Sequence, residues 1–260
     1  MIFGYLSFSN AGSESSPVDR LRKMTVRGDL VFHPVSLGDF SGGYYLNNRL
    51  PYTSRDVLYT DCASDTLILL SGSVYNRAEL MPICNLSSSD PDPLLIAELF
   101  AREGPDFVKR LNGDFTIFIF QRAKEHAYLF RDQVGIQPMA WLIDRKTLFF
   151  SSDIAGLCRA FSEGTDISSD YLMGYFKYID YRKTPNAKVS KLHPGHYIHF
   201  TDNQLEITRY WEPEKIKTDR ELSHDRMLSD LKSIVYDAVK IRCDSRFIAG
   251  AHVSSGIDSG

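Results

Sequence analysis

The segment 253–260 carries residue types that could hold the phosphates of a nucleotide. It reads Val253-Ser254-Ser255-Gly256-Ile257-Asp258-Ser259-Gly260 and follows an apolar stretch of mostly small residues. Backbone N–H groups approach an anion closely where side chains are small, and serine hydroxyls add further donors. A carboxylate such as Asp258 suits a magnesium ion, which prefers carboxylate and phosphate oxygens. Taken alone, such a Ser/Gly/Asp string is a weak signal, because strings of this kind are usually ordinary turns.

The other residues with reactive side chains offer little. The 4 cysteines, Cys62, Cys84, Cys158 and Cys243, lie far apart and form no C-x-x-C pair for zinc or redox chemistry. We expect free thiols in a reducing cytosol, and therefore a cytoplasmic protein. The net charge of -3 predicts no broad cationic surface for nucleic acid or anionic lipid. Neither a signal peptide nor a run approaching ~18 apolar residues is seen, so we expect no membrane partner.

Short apolar runs predict that the first two-thirds of the chain are rich in strands. They are mainly β-branched, aromatic or otherwise apolar, and they are too short to favour helices. The predicted strands are 2–8, 66–70, 115–120, 128–130 and 148–150, and 66–70 runs straight into Ser71-Gly72-Ser73.

Two helices and a hairpin are predicted between and after these strands. Apolar residues at helical spacing behind Asp-Pro-Asp-Pro predict a helix around 94–100. A second helix is predicted over 171–178. Turn residues at Pro194-Gly195 and Asp202-Asn203 predict that the strands 197–200 and 205–210 pair as a hairpin.

The composition of the chain changes after Trp211. The segment 212–220 is charged and contains Pro213, which predicts a linker, and Thr218 with Glu221 has the spacing of a capping box. Behind it we predict a helix over 222–243, followed by a strand over 247–253. The helix carries an apolar stripe made of Met227, Leu228, Leu231, Ile234, Val235, Ala238 and Val239.

The segment 254–259 resembles the S-G-G-x-D-S pyrophosphate loop of the ATP-pyrophosphatase superfamily, with Ser255 replacing the first glycine. That replacement adds a Cβ where the backbone must approach phosphate closely. Further patterns similar to those of asparagine synthetases occur in the family's order along the chain. They are Tyr75-Asn76, Glu103–Phe107, Leu111–Phe115, Arg131–Met139 (similar to R-D-x-x-G-x-x-P-L), Pro194–Tyr197 and Tyr210-Trp211.

This resemblance implies an α+β fold in two parts. Residues 1–211 are expected to form a glutaminase-like αββα sandwich of the N-terminal-nucleophile type, and 212–220 a linker. Residues 221–260 would then be the first helix and strand of an α/β ATP-pyrophosphatase domain. The implied cofactors are ATP and Mg²⁺, with Asp258 as the metal ligand. The residues expected to bind ATP or pyrophosphate are Val253, Ser254, Ser255, Gly256, Asp258 and Ser259.

The same resemblance implies that the glutamine site has lost its chemistry. Class II glutamine amidotransferases attack glutamine with a cysteine exposed at position one. Here the chain opens Met1-Ile2-Phe3-Gly4, which is similar to C-G-I-F-G with its first residues missing. We therefore expect no catalytic residue in the glutaminase site.

Other parts of that site also depart from the family pattern. The family's N-G-E becomes Ser71-Gly72-Ser73, so serines replace both the oxyanion-hole asparagine and the substrate-binding glutamate. Arg49 and Asp90 fall near the places where family members bind the glutamine carboxylate and amine. We interpret them as relics or as structural ion-pair formers.

Family branches with a nucleophile-less domain include the β-lactam synthetases and the lasso-peptide cyclases, which need no ammonia. We therefore expect an ATP-dependent, amide-forming ligase that adenylates a small-molecule or peptide carboxylate. The chain alone is expected to be inactive and to need a continuation or a partner polypeptide with the rest of the synthetase domain. Two alternatives stay open: a non-catalytic scaffold, or an asparagine synthetase that uses free ammonia.

Overall fold

A computed structural model of the 260-residue chain describes residues 1–8, 29–162, 167–177, 180, 182–202, 204–218, 222–243, 246, 250, 253, 254 and 256. The chain divides into two compact units, Met1–Pro213 and Glu214–Gly260. The described strands all belong to the first unit.

Two six-stranded antiparallel sheets form this first unit among the described residues. In chain order the strands are β1 (Ile2–Ser7), β2 (Leu30–Leu37), β3 (Phe40–Asn47), β4 (Leu58–Asp61), β5 (Thr66–Val74), β6 (Gly113–Gln121), β7 (His126–Arg131), β8 (Ala140–Asp144), β9 (Thr147–Ser151), β10 (Ser190–Lys191), β11 (His196–Phe200) and β12 (Leu205–Arg209). Sheet A has the order β10-β8-β9-β1-β3-β2, and sheet B has the order β12-β11-β7-β6-β5-β4.

The described α-helices are α1 (Arg77–Leu80), α2 (Asp92–Glu103), α3 (Ile154–Ala160), α4 (Ser169–Lys177) and α5 (His224–Arg242). Short 3₁₀ segments cover Ser54–Asp56, Pro82–Cys84, Gly104–Arg110, Arg122–Lys124 and Pro213–Lys215. None of the helices in the described part of the chain is both long and apolar enough to cross a membrane.

Alternation along the strands builds the layers of the first unit. Phe118 and Phe120 of β6 point between the sheets, where they join Phe40 and Phe150 of sheet A. The intervening residues of β6, Ile117 and Ile119, face the opposite way and share a core with α2. On the outer face of sheet A, the side chains of Phe3, Phe149 and Leu142 pack with Leu157 and Ala160 of α3. Helices therefore cover the outer faces of two stacked antiparallel sheets, as the αββα prediction required.

Several predicted elements differ in their limits. The predicted strand 66–70 continues through Ser71-Gly72-Ser73 to Val74, because these residues pair with β6 instead of turning. The predicted helix 171–178 is Ser169–Lys177, and Tyr178 lies outside the described residues. The predicted hairpin is confirmed by the antiparallel register of β11 with β12.

The second unit is described chiefly by α5. This helix begins at His224, and Ser223 caps it by accepting a hydrogen bond from the Arg226 N–H, so the capping box predicted from Thr218 and Glu221 was wrong. Of the predicted strand 247–253, Gly250 and Val253 alone are described, and neither is in a strand. The predicted ATP-pyrophosphatase domain stays a prediction.

Candidate functional site

The segment Ser71-Gly72-Ser73 lies in the last part of β5, in register with Thr116, Phe115 and Asp114 of β6. Gly72 has a φ of +124°, and a Cβ at this position would stand 1.9 Å from the Asp114 carbonyl oxygen. A side chain is therefore excluded at Gly72, while the serines on either side are half-buried.

An ion pair ties the end of β5 to the start of α2. The Val74 N–H donates a hydrogen bond of 3.2 Å to Oδ2 of Asp92, and Oδ1 of Asp92 lies 3.0 Å from Nε of Arg77. Arg77 also donates to the backbone carbonyl of Asp90. These contacts hold the Asp90–Asp92 corner beside Ser73.

The carboxylate of Asp90 accepts hydrogen bonds within its own turn. Its Oδ2 accepts hydrogen bonds from the Ser87 N–H at 2.8 Å and the Ser87 hydroxyl at 2.9 Å. These two hydrogen bonds, the backbone one first, hold the pKa of Asp90 below its ordinary value. The Asp90 carboxylate therefore stabilises the loop that leads into α2.

Arg49 lies in the exposed turn after β3 and forms an ion pair of 3.0 Å with Asp29. Its backbone N–H donates to Oδ1 of Asn47 at 2.9 Å. Within the described part of the chain, no hydrogen bond or ion pair joins Arg49 to Ser71, Ser73 or Asp90. The structure thus brings Asp90 to the end of β5 and leaves Arg49 paired elsewhere.

The beginning of β1 is held centrally in sheet A, between β3 and β9. The Met1 amine donates to the Tyr45 carbonyl at 3.5 Å, and the Ile2 N–H donates to Oγ of Ser152 at 3.0 Å. Burial lowers the pKa of the Met1 amine to about 6. Burial also raises the pKa of the Cys84 thiol, which disfavours the thiolate at this position.

The Arg131–Met139 segment is organised by a buried carboxylate. Oδ1 of Asp132 accepts from the N–H groups of Val134 at 3.2 Å, Gly135 at 2.5 Å and Ile136 at 3.0 Å. Its Oδ2 accepts from the Gln137 N–H at 2.9 Å. Asp132 is fully buried. The four hydrogen bonds that its carboxylate accepts replace those that it would otherwise make with water.

The neighbouring Arg131 side chain closes the same loop from the other side. Its guanidinium donates to the carbonyl oxygens of Gly135 at 2.9 Å, Gln137 at 2.8 Å and Leu192 at 2.6 Å. Burial lowers the pKa of Arg131 relative to its ordinary value. Both charged side chains of this motif therefore serve the structure of the loop.

The phosphate-loop prediction falls largely outside the described residues. Ser255, Asp258 and Ser259 lie outside them, while Val253, Ser254 and Gly256 are described. Val253 is exposed, and the Gly256 N–H donates to Oγ of Ser254 at 3.2 Å. Among the described residues no cluster of three or more His, Cys, Asp or Glu side chains could hold a metal ion. The ATP and magnesium sites stay predictions.

A family model for the glutamine amidotransferase domain matches residues 55–211. The chain belongs to this family. The match contains the Ser71-Gly72-Ser73 segment, Asp90 and the Arg131–Met139 loop, and it ends at Trp211. The matched glutamine amidotransferase domain thus includes all of sheet B and the predicted site residues 71–73 and 90.

Several curated relatives of this amidotransferase-family chain carry asparagine synthetase names. A "putative asparagine synthetase (glutamine-hydrolyzing) 2" of Methanocaldococcus jannaschii is 29% identical over 202 residues, which are 75% of this chain and 39% of the relative. Asparagine synthetase (glutamine-hydrolyzing) 2 of Bacillus subtilis is 25% identical over 267 residues, 96% of this chain and 34% of the relative. The chain therefore spans little more than a third of the length of these relatives.

The fold is also similar to that of a solved amidotransferase. Glutamine phosphoribosylpyrophosphate amidotransferase from B. subtilis, in complex with ADP and GMP, superposes with a TM-score of 0.53 at 11% identity. The superposition covers 80% of this chain and 49% of that one. At this identity the likeness concerns the fold alone.

Sequence reasoning missed the Arg77–Asp92 pair. Asp92 was used there as part of a helix start, and Arg77 carried no signal beyond its place after Tyr75-Asn76. An aspartate in the first turn of α2 was the available hint, but its partner is 15 residues earlier and is brought near by the fold.

Proposed function

We propose that the chain is the amino-terminal part of an ATP-dependent carboxylate–amine ligase of the asparagine synthetase type that does not hydrolyse glutamine. The observation that carries this proposal is Ser71-Gly72-Ser73 at the end of β5, inside a matched amidotransferase domain. Serine hydroxyls stand where the resemblance places an oxyanion-hole asparagine and a substrate-binding glutamate. Losing an oxyanion donor alone costs roughly 100- to 1,000-fold in rate.

The proposed reaction uses ATP to turn a carboxylate into a better acyl donor. A carboxylate oxygen of the substrate attacks the α-phosphorus of ATP, and the bond to pyrophosphate breaks. An amine already present in the substrate then attacks the acyl carbon, AMP leaves, and the amine's proton passes to solvent. Peptide macrocyclisation and β-lactam formation are reactions of this class, and neither requires ammonia.

The residues proposed to hold the nucleotide lie in 253–259. Hydroxyls and backbone N–H groups of Ser254, Ser255, Gly256 and Ser259 would bind the phosphates, and Asp258 would hold Mg²⁺. A bound magnesium ion would neutralise charge on the departing pyrophosphate. The donor set suits this role, since it combines small residues with one carboxylate.

A further polypeptide segment is part of the proposal. The α5 stripe is exposed, with Met227, Leu231 and Val239 at 50%, 55% and 60% of their full accessibility. At ~25 cal/mol per Å² of apolar surface, covering such a stripe contributes several kcal/mol. We infer that a continuation of the chain, or a partner polypeptide, carries the remaining synthetase domain and buries α5.

The test is a pair of Mg-ATP titrations, on residues 1–260 alone and on the protein completed by the remaining synthetase domain. We expect Mg-ATP to bind only to the complete protein. Pyrophosphate release in the complete protein should be largely lost in Asp258→Ala and retained in Asp144→Ala, a matched change at an exposed aspartate. Pyrophosphate release that survives Asp258→Ala would contradict the phosphate-loop assignment. A complete protein that never releases pyrophosphate would favour a scaffold.

A further inference from the structure

Two histidines lie close together on neighbouring strands of sheet B. The ring centroids of His126 in β7 and His199 in β11 are 4.8 Å apart, and the ring planes are inclined by 66°. With metal–nitrogen bonds of about 2.1 Å, two imidazoles that bind one ion at adjacent positions have ring centroids roughly 4.5–5.2 Å apart. The observed spacing therefore suits the chelation of a single metal ion.

The His199 ring offers a nitrogen atom that could bind such an ion. Its Nε2 is buried and has no hydrogen-bond partner among the described residues. A buried polar atom without a partner calls for an explanation, and a bound ion is one. Burial, and then the neighbouring His126, lower the pKa of His199. The ring is therefore neutral at physiological pH, which is the form that binds metals.

The side chain of Tyr128 contacts both histidines and orients them. Its ring stacks on that of His199, with centroids 4.5 Å apart and 4° between the planes. Its hydroxyl lies 3.4 Å from Nδ1 of His126, within hydrogen-bonding distance. Histidines that bind metals usually hydrogen-bond in this way through the other ring nitrogen. Nε2 of His126 is therefore the second nitrogen that we expect to face the ion.

The side chains paired with the two histidines favour a cation. Glu206 of β12 is directly opposite His199 in the register of β11 with β12, and its negative charge acts on that ring. On the other side, His126 is in register with the uncharged Gln121 of β6. A positive ion at this pair would thus meet an attractive carboxylate.

A second histidine pair provides a contrast. The ring centroids of His193 and His196 are 5.4 Å apart, slightly beyond the range for adjacent ligands. The charges of two arginines, Arg182 and Arg131, act on His193, and they outnumber the one carboxylate, Asp180. A positively charged surrounding repels a metal ion, so this pair is a natural control for the first one.

We propose that His126 and His199 together bind a divalent transition-metal ion that prefers imidazole ligands, such as Zn²⁺. No group of three or more His, Cys, Asp or Glu side chains in the described part of the chain could hold an ion, so water would complete the coordination. The pair and Ser71-Gly72-Ser73 lie at opposite ends of sheet B, since their partners in β6 are Gln121 and Asp114. The ion would therefore fasten β7 to β11, and this inference is independent of the proposed function.

The experiment is a calorimetric titration of the 260-residue chain with Zn²⁺ alone at neutral pH. Exposed Cys62 and Cys243 are changed to serine in every protein, so that thiolates do not compete for the ion. This parent protein should bind one ion. His199→Phe, which keeps the stacking on Tyr128, should raise the dissociation constant at least about tenfold, as should His126→Gln.

Two further variants separate orientation and general histidine content from ligation. Tyr128→Phe keeps both aromatic contacts and loses the hydroxyl beside His126, so it should raise the dissociation constant about tenfold. His193→Phe, in the second pair, should leave the dissociation constant unchanged. Melting temperatures measured without metal check that each variant is folded, and added Zn²⁺ should raise the melting temperature of the parent protein but not that of His199→Phe.

Nuclear magnetic resonance of the histidine ring nitrogens identifies the ligands directly. Zn²⁺ should shift the ring ¹⁵N signals of His126 and His199 and leave those of His193 and His196 in place. Equal dissociation constants for the parent protein and His199→Phe would overturn the site. Shifts confined to His193 and His196, or no binding of Zn²⁺ by the parent protein, would overturn it as well.

Discussion

The Tyr210 hydroxyl donates a hydrogen bond of 2.6 Å to the carbonyl oxygen of Arg131, 79 residues earlier in the chain. Tyr210 follows β12, and Arg131 ends β7. Burial raises the pKa of the Tyr210 phenol well above its ordinary value, so the group remains a donor at any physiological pH. One phenol thus joins the end of the amidotransferase domain to the loop organised by Asp132.

Tyr210→Phe removes this donor without changing the shape of the ring. The Arg131 carbonyl loses its phenol partner in a buried place, so we expect the free energy of unfolding to fall by about 1–2 kcal/mol. Urea denaturation measures the change. Tyr5→Phe, at a half-buried tyrosine of β1 whose ring packs against Phe149, is the control. Equal stability of Tyr210→Phe and the unaltered chain would contradict a structural role for this bond.

Gly72→Ala should destabilise the first unit by more than about 2 kcal/mol. Its φ of +124° and the 1.9 Å approach of a new Cβ to the Asp114 carbonyl both oppose a side chain. Gly174→Ala is the matched control, because Gly174 lies in α4 with open space around its Cβ position. There we expect no loss, or a gain of up to about 1 kcal/mol. Thermal unfolding of the two variants tests the contrast.

His199 should add to the fall in stability of the first unit as the pH drops below about 6.5, the ordinary pKa of histidine, after a fall that the Met1 amine begins below about pH 8. Burial, then repulsion from His126, lowers the pKa of His199, and Glu206 opposes them. The unfolded chain therefore binds a proton at His199 that the folded chain resists, so unfolding becomes easier in acid. The His199 ring stacks on Tyr128 with centroids 4.5 Å apart, so His199→Phe keeps the stacking.

We expect His199→Phe to reduce the dependence of unfolding free energy on pH between 7 and 5. Part of the dependence should remain, because burial also lowers the pKa of the Met1 amine and of His193. His33→Phe is the matched control, since His33 also stacks on a tyrosine, with 5.0 Å between the ring centroids of His33 and Tyr44. An equal flattening in both variants would show that His199 is not responsible.

Ammonia release from saturating glutamine should equal the blank without protein. The proposed reason is that Ser71 and Ser73 stand where the resemblance places the oxyanion-hole asparagine and the substrate-binding glutamate. Asparagine synthetase 2 of B. subtilis, which carries a glutamine-hydrolysing name, is the positive control. A turnover by this chain that a glutamine-directed affinity label abolishes would refute the prediction.

The strands that could be predicted are those in which the residue types alone indicate a strand. Residues 115–120 are buried on both faces of sheet B and therefore form one continuous run of β-branched and aromatic residues. β3 was missed because Gly42 and Gly43 look like chain breakers. In the fold, a Cβ on Gly42 would stand 2.4 Å from the Phe3 carbonyl oxygen, so the glycine permits close pairing with β1.

The candidate site, too, could be predicted only in part from the sequence. Its positions 71–73 and 90 came from a resemblance, and the structure brings Asp90 to the end of β5 through Arg77. That link depends on the close approach of a loop and a helix start that are separate in sequence. The role of Asp132 was hidden for a related reason, because its partners are backbone N–H groups, which every sequence possesses.

The central place of β1 in sheet A sets an order of assembly during synthesis. β5, β6 and β7 are neighbours both in the chain and in sheet B, so they can pair as soon as they leave the ribosome. β1 must instead wait for β9 and for Ser152, which lies 150 residues after Ile2. We expect pulse-labelled hydrogen exchange to find amides of β6 protected before those of β1, although β1 precedes β6 in the chain.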